Sequence, residues 1–284
     1  MWVLAWLLQA VAALGMASAA HYASHGTLFA SPRTNRIAGT FLLWPLLLNA
    51  GTDQAFHRQH HAATRVADDT EYAFDGRTPF SYAAAMIFGA FVFVFENWAD
   101  TARTIIGRRP TWVRSDRQAR RIRVDAALGV VWLGTLVALT AIAPGAMVKL
   151  WIAPLVVALG GVLNIVVLPE HMRCDRVTDI RLNTRSVETG PALSWIYWNG
   201  NCHTAHHLRP TVPWSALPEL HKAERASIAH VSPSYRSFHW AVLRSFARHD
   251  AGPIQRKSVG GGDLGEDIAR QATVTRHGED LRTV

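Results

Sequence analysis

NGNCHTAHHLRPTVPW, residues 199–214, is the stretch that decides how the rest of the chain reads. Its histidines, His203, His206 and His207, fall at i, i+3 and i+4, which on a helix points three imidazoles off one face. With this group called box three, HRQHH far upstream repeats the spacing at His57, His60 and His61 (box two), and HYASH carries His21 and His25 at i, i+4 (box one). A single such pair on a surface is ordinary. Three groups that take eight of the 14 histidines call for a metal. Imidazole suits zinc, copper, iron and nickel alike, so residue type leaves the metal open. Number is more informative. Structural zinc is satisfied by four ligands and catalytic zinc by three plus water, so eight clustered histidines exceed one zinc site and suit two metals with positions left open.

Composition sets the surroundings. Hydrophobic residues make up 49% of the 284, with 11 Trp, yet mean hydropathy is only +0.07. Apolar runs alternate sharply with Arg-rich connections, as when membrane spans alternate with aqueous segments. The net charge of +8 does not indicate nucleic-acid binding, because nucleic-acid binders lack long uncharged segments; it suits the inner surface of a membrane. Two cysteines, Cys174 and Cys202, are too few for a disulfide scaffold.

No charged residue occurs before Arg33, and residues 2–20 are long enough to cross a bilayer as a helix. A signal peptide is the competing reading, but its basic n-region is missing. Residues 37–50 are apolar, short and broken by Pro45, which points to an interfacial or re-entrant segment. Residues 79–98 are apolar and aromatic. Box two lies on one flank and eight arginines between Arg103 and Arg123 on the other, so the positive-inside rule predicts a helix lying along the inner interface. Two clear spans follow, 124–143 and 147–168, joined by a tight turn at Pro144-Gly145. All histidine groups then share one side. The polar stretch 251–284, with GGG at 260–262, reads as a disordered tail after a domain covering 1–250.

The order HxxxH, HxxHH, HxxHH resembles the membrane fatty acid desaturase and hydroxylase family, most specifically in NxNxHxxHHLxPxVPxxxLPxLH, Asn199 to His221, and over roughly residues 15–225. The resemblance implies an all-α polytopic membrane protein with about three spanning helices, interfacial helices and a cytoplasmic cap around the histidine boxes. It implies two iron ions and O2 as co-substrate, with hydrogen removed from an unactivated C–H bond. A lipid acyl chain is the expected substrate. Hydroxylation or ketolation of an alkyl chain or carotenoid by the same metals is the alternative, and a non-catalytic membrane metal-binding protein is the remaining class. The bacterial inner membrane is the expected location. With no fused haem or ferredoxin-type motif, a separate electron donor, a ferredoxin or similar carrier, is expected on the basic face at Arg103–Arg123.

The family often has a ninth ligand where His171 stands; capping of the preceding helix end is its competing role. Metal-bound imidazoles need partners on their other nitrogen. Asp68, Asp69 and Glu71 after box two, and Asp175 and Asp179 after His171, are candidates, each against the alternative of a solvated acidic loop. Asn199 and Asn201 match the family pattern and are expected to orient box three or hold a water, and Arg185 to pair with an acidic residue. Tyr22, Cys202, Ala205 and Arg209 depart from common family residues, which weakens any transfer of substrate identity, and Cys202 beside metals would be oxidation-sensitive. The family commonly has a further membrane helix before the one that bears box one, so a shortened fold or an incomplete start is expected.

Overall fold

The computed structural model describes residues 1–71 and 75–257. Helix α1, Trp2–His25, is uncharged throughout and carries box one in its last turns. Gly26 ends it in the left-handed region at φ 77°, its N–H donating to the Ala23 carbonyl, so the chain leaves the helix directly after His25. Helix α2, Pro32–Leu43, and a 3₁₀ turn at Trp44–Leu46 are too short to cross a bilayer, and α2 lies against α1. Helix α3, Ala50–Ala63, bears box two. Asn49 caps it by accepting from the Thr52 N–H at 3.0 Å, which fixes where the box starts in the helical register.

Helix α4, Pro79–Ile105, is continuous for 27 residues, α5 spans Asp116–Ile142, and α6, interrupted by two π-turns, spans Pro144–Glu170. By length and composition four helices could cross a membrane: α1, α4, α5 and α6. Three spans were expected; α4, read as interfacial, also meets the length and hydropathy of a span, since its apolar run 79–98 alone is about as long as a bilayer crossing. Its two ends are notable. Tyr82 packs with Met172 and bonds His239 at 2.7 Å, while Asn97 and Thr101 bond Asn49 and Thr52 at the start of α3.

Helices α5 and α6 form a hairpin about Ala143. Helix α1 runs in the same direction as α6: Trp6 donates to the Lys149 carbonyl at 2.8 Å, and Ala10 and Leu14 pack on Leu159 and Leu163. Both helices therefore deliver their C-terminal histidines, His25 and His171, to one end. Beyond α6 come α7 (Ile180–Asn183), strand β1 (Arg185–Val187), α8 (Pro191–Ile196), α9 (His203–Leu208), α10 (Leu217–Glu224), strand β2 (His230–Ser232) and α11 (Tyr235–Ala247). The strands pair in parallel with Arg185 opposite His230.

Among the described residues Arg185 pairs with no acid, contrary to expectation. Fully buried, it donates to the carbonyls of Pro169 (2.6 Å), Met172 (2.8 Å) and Ile254 (2.9 Å) and lies 4.6 Å from the Phe238 ring. Carbonyl oxygens replace the hydration that a buried guanidinium loses. Through Ile254, itself buried, the domain extends past the expected boundary at 250 to residue 257; the rest of the expected tail, 258–284, lies outside the described residues.

Candidate metal centre

The fold brings nine histidines together at the end where α1, α3, α6 and α9 meet. His21, His25, His57 and His206 offer nitrogens within 4.8 Å of one another, and His60, His171, His203 and His207 do the same. His61 joins the first cluster, its Nε2 lying 2.9 Å from His57 Nε2 and 3.1 Å from His206 Nε2. The division follows helical geometry. Every i, i+4 pair (21/25, 57/61, 203/207) acts as one clamp on one cluster, and the remaining member of boxes two and three, His60 or His206, turns to the other.

The tautomers are set from outside. His57 Nδ1 donates to Glu71 Oε1 and His60 Nδ1 to Asp69 Oδ1, each at 2.8 Å. His171 Nδ1 donates to the Asn183 carbonyl at 3.3 Å, and His203 Nδ1 faces Glu170 Oε1 at 3.4 Å. Thr64 spends its hydroxyl proton on the His60 carbonyl, leaving a lone pair for His207 Nδ1–H at 3.3 Å. With Nδ1 protonated in a neutral ring, Nε2 is a bare lone pair. Yet His171 Nε2 lies 3.1 Å from His60 Nε2 and 2.8 Å from His203 Nε2. Facing lone pairs repel unless a cation lies between them. Two nitrogens bound at right angles to one ion are about 3 Å apart, given metal–nitrogen bonds of about 2.0–2.1 Å. The buried, unpartnered Nε2 atoms of His25 and His207 fit the same reading.

Electrostatics keep most of these rings neutral and ready to bind. Burial first, then neighbouring imidazoles, holds His57, His61, His203, His206 and His207 below the ordinary histidine range, and burial with His203 and His60 does so for His171. His60 is the exception. Burial opposes its protonation, but Glu71 and Asp69 outweigh it and raise its pKa.

The expected supporting residues divide. Asp69 reaches His60 and also accepts from the Arg65 N–H at 2.6 Å. Glu71 reaches His57 and holds its other oxygen 3.7 Å from His60 Nε2, between the clusters. Asp68 is exposed and contributes only its carbonyl, to Gln59. Asp175 turns to His230 (3.2 Å) and Arg256 (3.0 Å), not to His171. Asn199 and Asn201 accept together from Ser194 and donate to the Trp214 and Val187 carbonyls; they shape the loop before α9 and touch no ring. Cys202 is buried and its thiol is pushed up to about 12 by burial, which keeps it protonated and unreactive. Glu170, Asn183 and Thr64 escape sequence reading. Glu170, which also accepts from the Tyr197 hydroxyl at 2.5 Å, had one signal, its place beside His171.

A cavity of about 770 Å³ meets this centre. His21, His57, His171, His203 and His206 line it, so both clusters face it, and Leu14, Leu46, Phe93, Val94, Leu159 and Leu163 form apolar walls. Its apolar walls match a slender apolar chain in chemistry.

No curated protein matches the chain. The family model for fatty acid desaturase matches residues 1–239. With that match, four long apolar helices and two histidine clusters able to hold metal, the chain is an integral membrane protein of the fatty acid desaturase family, an oxidoreductase family acting on lipids.

Proposed function

We propose that this protein is an oxygen-dependent di-iron desaturase of a lipid acyl chain. The observation that carries the reading is the convergence of histidines from both clusters on one cavity with apolar walls. Two bound irons would supply the oxidising power to remove hydrogen from an unactivated C–H bond, with O2 as oxidant. Desaturation balances when the substrate gives two protons and two electrons, a donor gives two electrons, solvent gives two protons, and O2 leaves as two waters. The residues of this chain prepare the step. Asp69, Glu71, Asn183 and Thr64 hold rings in the binding tautomer. The walls of α1, α4 and α6 bind the chain, at about 0.8 kcal/mol per buried methylene, and fix which carbon faces the centre.

Hydroxylation by the same centre is the second reading. Asp53 and Glu96 place two carboxyl groups in the cavity wall, where a hydroxylated product could bond. Lipid and pigment profiling by mass spectrometry of cells expressing wild type beside His206→Ala separates the two. New acyl double bonds that depend on His206 are expected; a product heavier by one oxygen moves the assignment to hydroxylation. If iron-loaded protein yields neither product and consumes no more O2 than the variant, the enzymatic reading fails.

On this reading the centre faces the cytoplasm at a bacterial inner membrane and both ends of α4 lie on that side; in support, Tyr82 near its start packs on Met172, next to His171, and Asn97 near its end bonds Asn49 at the start of α3. Cysteines at Phe80 and Arg108 should then be labelled only after an impermeant reagent gains access to the cytoplasm. A separate acidic carrier would dock on the exposed arginines Arg108, Arg109, Arg117 and Arg120. Arg121 is not among them, because it turns inward to Gln54 and Asp125. Charge reversal at Arg117 and Arg120 should slow donor-supported turnover at low salt and flatten its salt dependence; unchanged rates would remove this face from the docking surface.

A further inference from the structure

Helix α11, Tyr235–Ala247, has two faces of different kind. Tyr235, Phe238, Val242 and Ser245 are buried, and Phe238 and Val242 pack with Tyr82 and Ala85 of α4 and with Met172 after α6. The opposite face carries Trp240 and Leu243, 54% and 46% exposed, among the exposed arginines Arg236, Arg244 and Arg248. No acidic residue occurs between Tyr235 and His249. Depth decides what this face meets. His239 donates from Nε2 to the Ile165 carbonyl at 2.9 Å, which leaves Nδ1 to accept from the Tyr82 hydroxyl at 2.7 Å. Ile165 precedes the last residue of α6, Glu170, by more than a helical turn, and α6 is the most apolar of the four long helices. Ile165 and Val167 are themselves exposed on α6. Helix α11 therefore lies at the level where the apolar span gives way to the histidine-bearing cap.

We propose that α11 lies in the membrane surface, with Trp240 and Leu243 in the acyl boundary and Arg236, Arg244 and Arg248 on anionic phospholipid headgroups. A helix with apolar and basic side chains on one outward face is the kind that lies in that plane. Indole rings favour the boundary between acyl chains and water, and long basic side chains reach from it to the headgroups. Arg244 and Trp240 do both at one place, the guanidinium lying 5.0 Å from the ring centre. Three cations with no acid among them match the negative charge of a leaflet rich in anionic lipid. A water-soluble partner is the poorer fit, because the His239 bond sets this helix beside the apolar length of α6. Trp240, Leu243, Arg244 and Arg248 lie beyond residues 1–239, so the family match does not supply this face. Through His239 the helix also ties α4 to α6, both walls of the cavity, so seating α11 on the leaflet seats the cavity with it.

Depth and charge can be tested separately in full-length protein reconstituted into phosphatidylcholine vesicles, with or without phosphatidylglycerol. Cys174 and Cys202 are buried, so Leu243→Cys takes a fluorophore selectively. That label should lose most of its emission to phosphatidylcholine bearing a nitroxide near the head of its acyl chain, and little to iodide in the water. A label at Ala223, exposed on α10, serves as the reference for water. Moving the nitroxide to phosphatidylglycerol should deepen quenching of the Leu243→Cys label about twofold or more at low salt, as anionic lipid gathers under the arginines. Arg236→Gln/Arg244→Gln should abolish that excess. Arg236→Lys/Arg244→Lys should keep it, because the attraction needs the charge and not the guanidinium fork. Quenching by iodide and not by lipid would put α11 in water and overturn the proposal. Shielding from both quenchers would put protein on this face, a second copy or a carrier, and overturn it equally. Equal quenching by the two lipids, or an excess that survives in the glutamine variant, overturns the headgroup assignment. None of these outcomes touches the acyl cavity or its chemistry.

Discussion

The two histidine clusters come from the same boxes yet are held differently. In the cluster of His60, His171, His203 and His207 all four residues are buried, and each Nδ1 faces an oxygen: Asp69, the Asn183 carbonyl, Glu170 or Thr64. The cluster of His21, His25, His57, His61 and His206 has one more ring and less support. His21 and His25 are only partly buried, His57 alone has a carboxylate on Nδ1, and His206 Nδ1 is buried without a partner. If each cluster holds one metal, as proposed, the difference teaches that one would be secured by oriented rings and the other by ring number. A four-ring site with fixed tautomers tolerates no loss, whereas a five-ring site has a ligand to spare.

Alanine substitution should break this comparison most forcefully. His60→Ala should empty its cluster, lowering iron per chain by about half and abolishing turnover, because ligands and metal affinity are coupled. His25→Ala leaves four rings and should retain most of the iron and part of the activity. Elemental analysis with O2 uptake decides, and equal iron loss in both variants would mean that the clusters are not held in different ways.

A milder contrast lies in the supporting acids. Asp69→Asn should weaken metal binding by about 10–100-fold, the usual cost of removing an imidazole's partner. Glu71→Gln should cost less, because the Glu71 side chain is 29% exposed against 4% for Asp69, so water can replace it. Competition with a chelator measures both affinities. The reverse order would make Glu71, poised between the clusters, the more important group.

The smallest expected effect concerns the cavity wall rather than the rings. Burial, with Glu71 adding repulsion, pushes the Asp53 carboxyl up to about 7. A carboxyl raised in the folded state costs nothing at low pH, where folded and unfolded forms are both protonated. The cost grows between about pH 4 and 7, as only the unfolded form ionises readily, and is constant above that. Asp53→Asn should therefore raise the apparent melting temperature in detergent at pH 8 but not at pH 4. A pH-independent difference between wild type and variant would place the Asp53 effect in packing instead.

How much of this was legible in the chain depends on the range of the interaction. The i, i+4 pairs are local, and a helix of any context sets those rings side by side. The acid after box two that reaches His60 is nine residues away, within one helix end and its loop, and Asp69 could be read from that nearness. The same logic misleads at Asp175. The turn after α6 passes through Arg173 at φ 54°, which redirects the chain and carries Asp175 to His230 instead of His171. Asn199 and Asn201 likewise turn to backbone, at Trp214 and Val187, 15 and 14 residues away, partners that their place beside box three does not reveal. Helix α4 marks another limit: hydropathy gives a helix's length and polarity, while what its ends touch depends on elements far along the chain.

From the sequence alone came the membrane-embedded helical class, the family and eight metal-seeking histidines with a ninth at His171, because apolar runs and helical spacing are properties of short segments. The tertiary structure alone decided how nine rings divide into five and four, which oxygens fix their tautomers, and that Arg65 and Arg176 meet on Asp75. His207 and Thr64 are 143 residues apart, Arg176 and Asp75 101. Contacts at such separations arise only when the helices pack, so no local pattern can encode them.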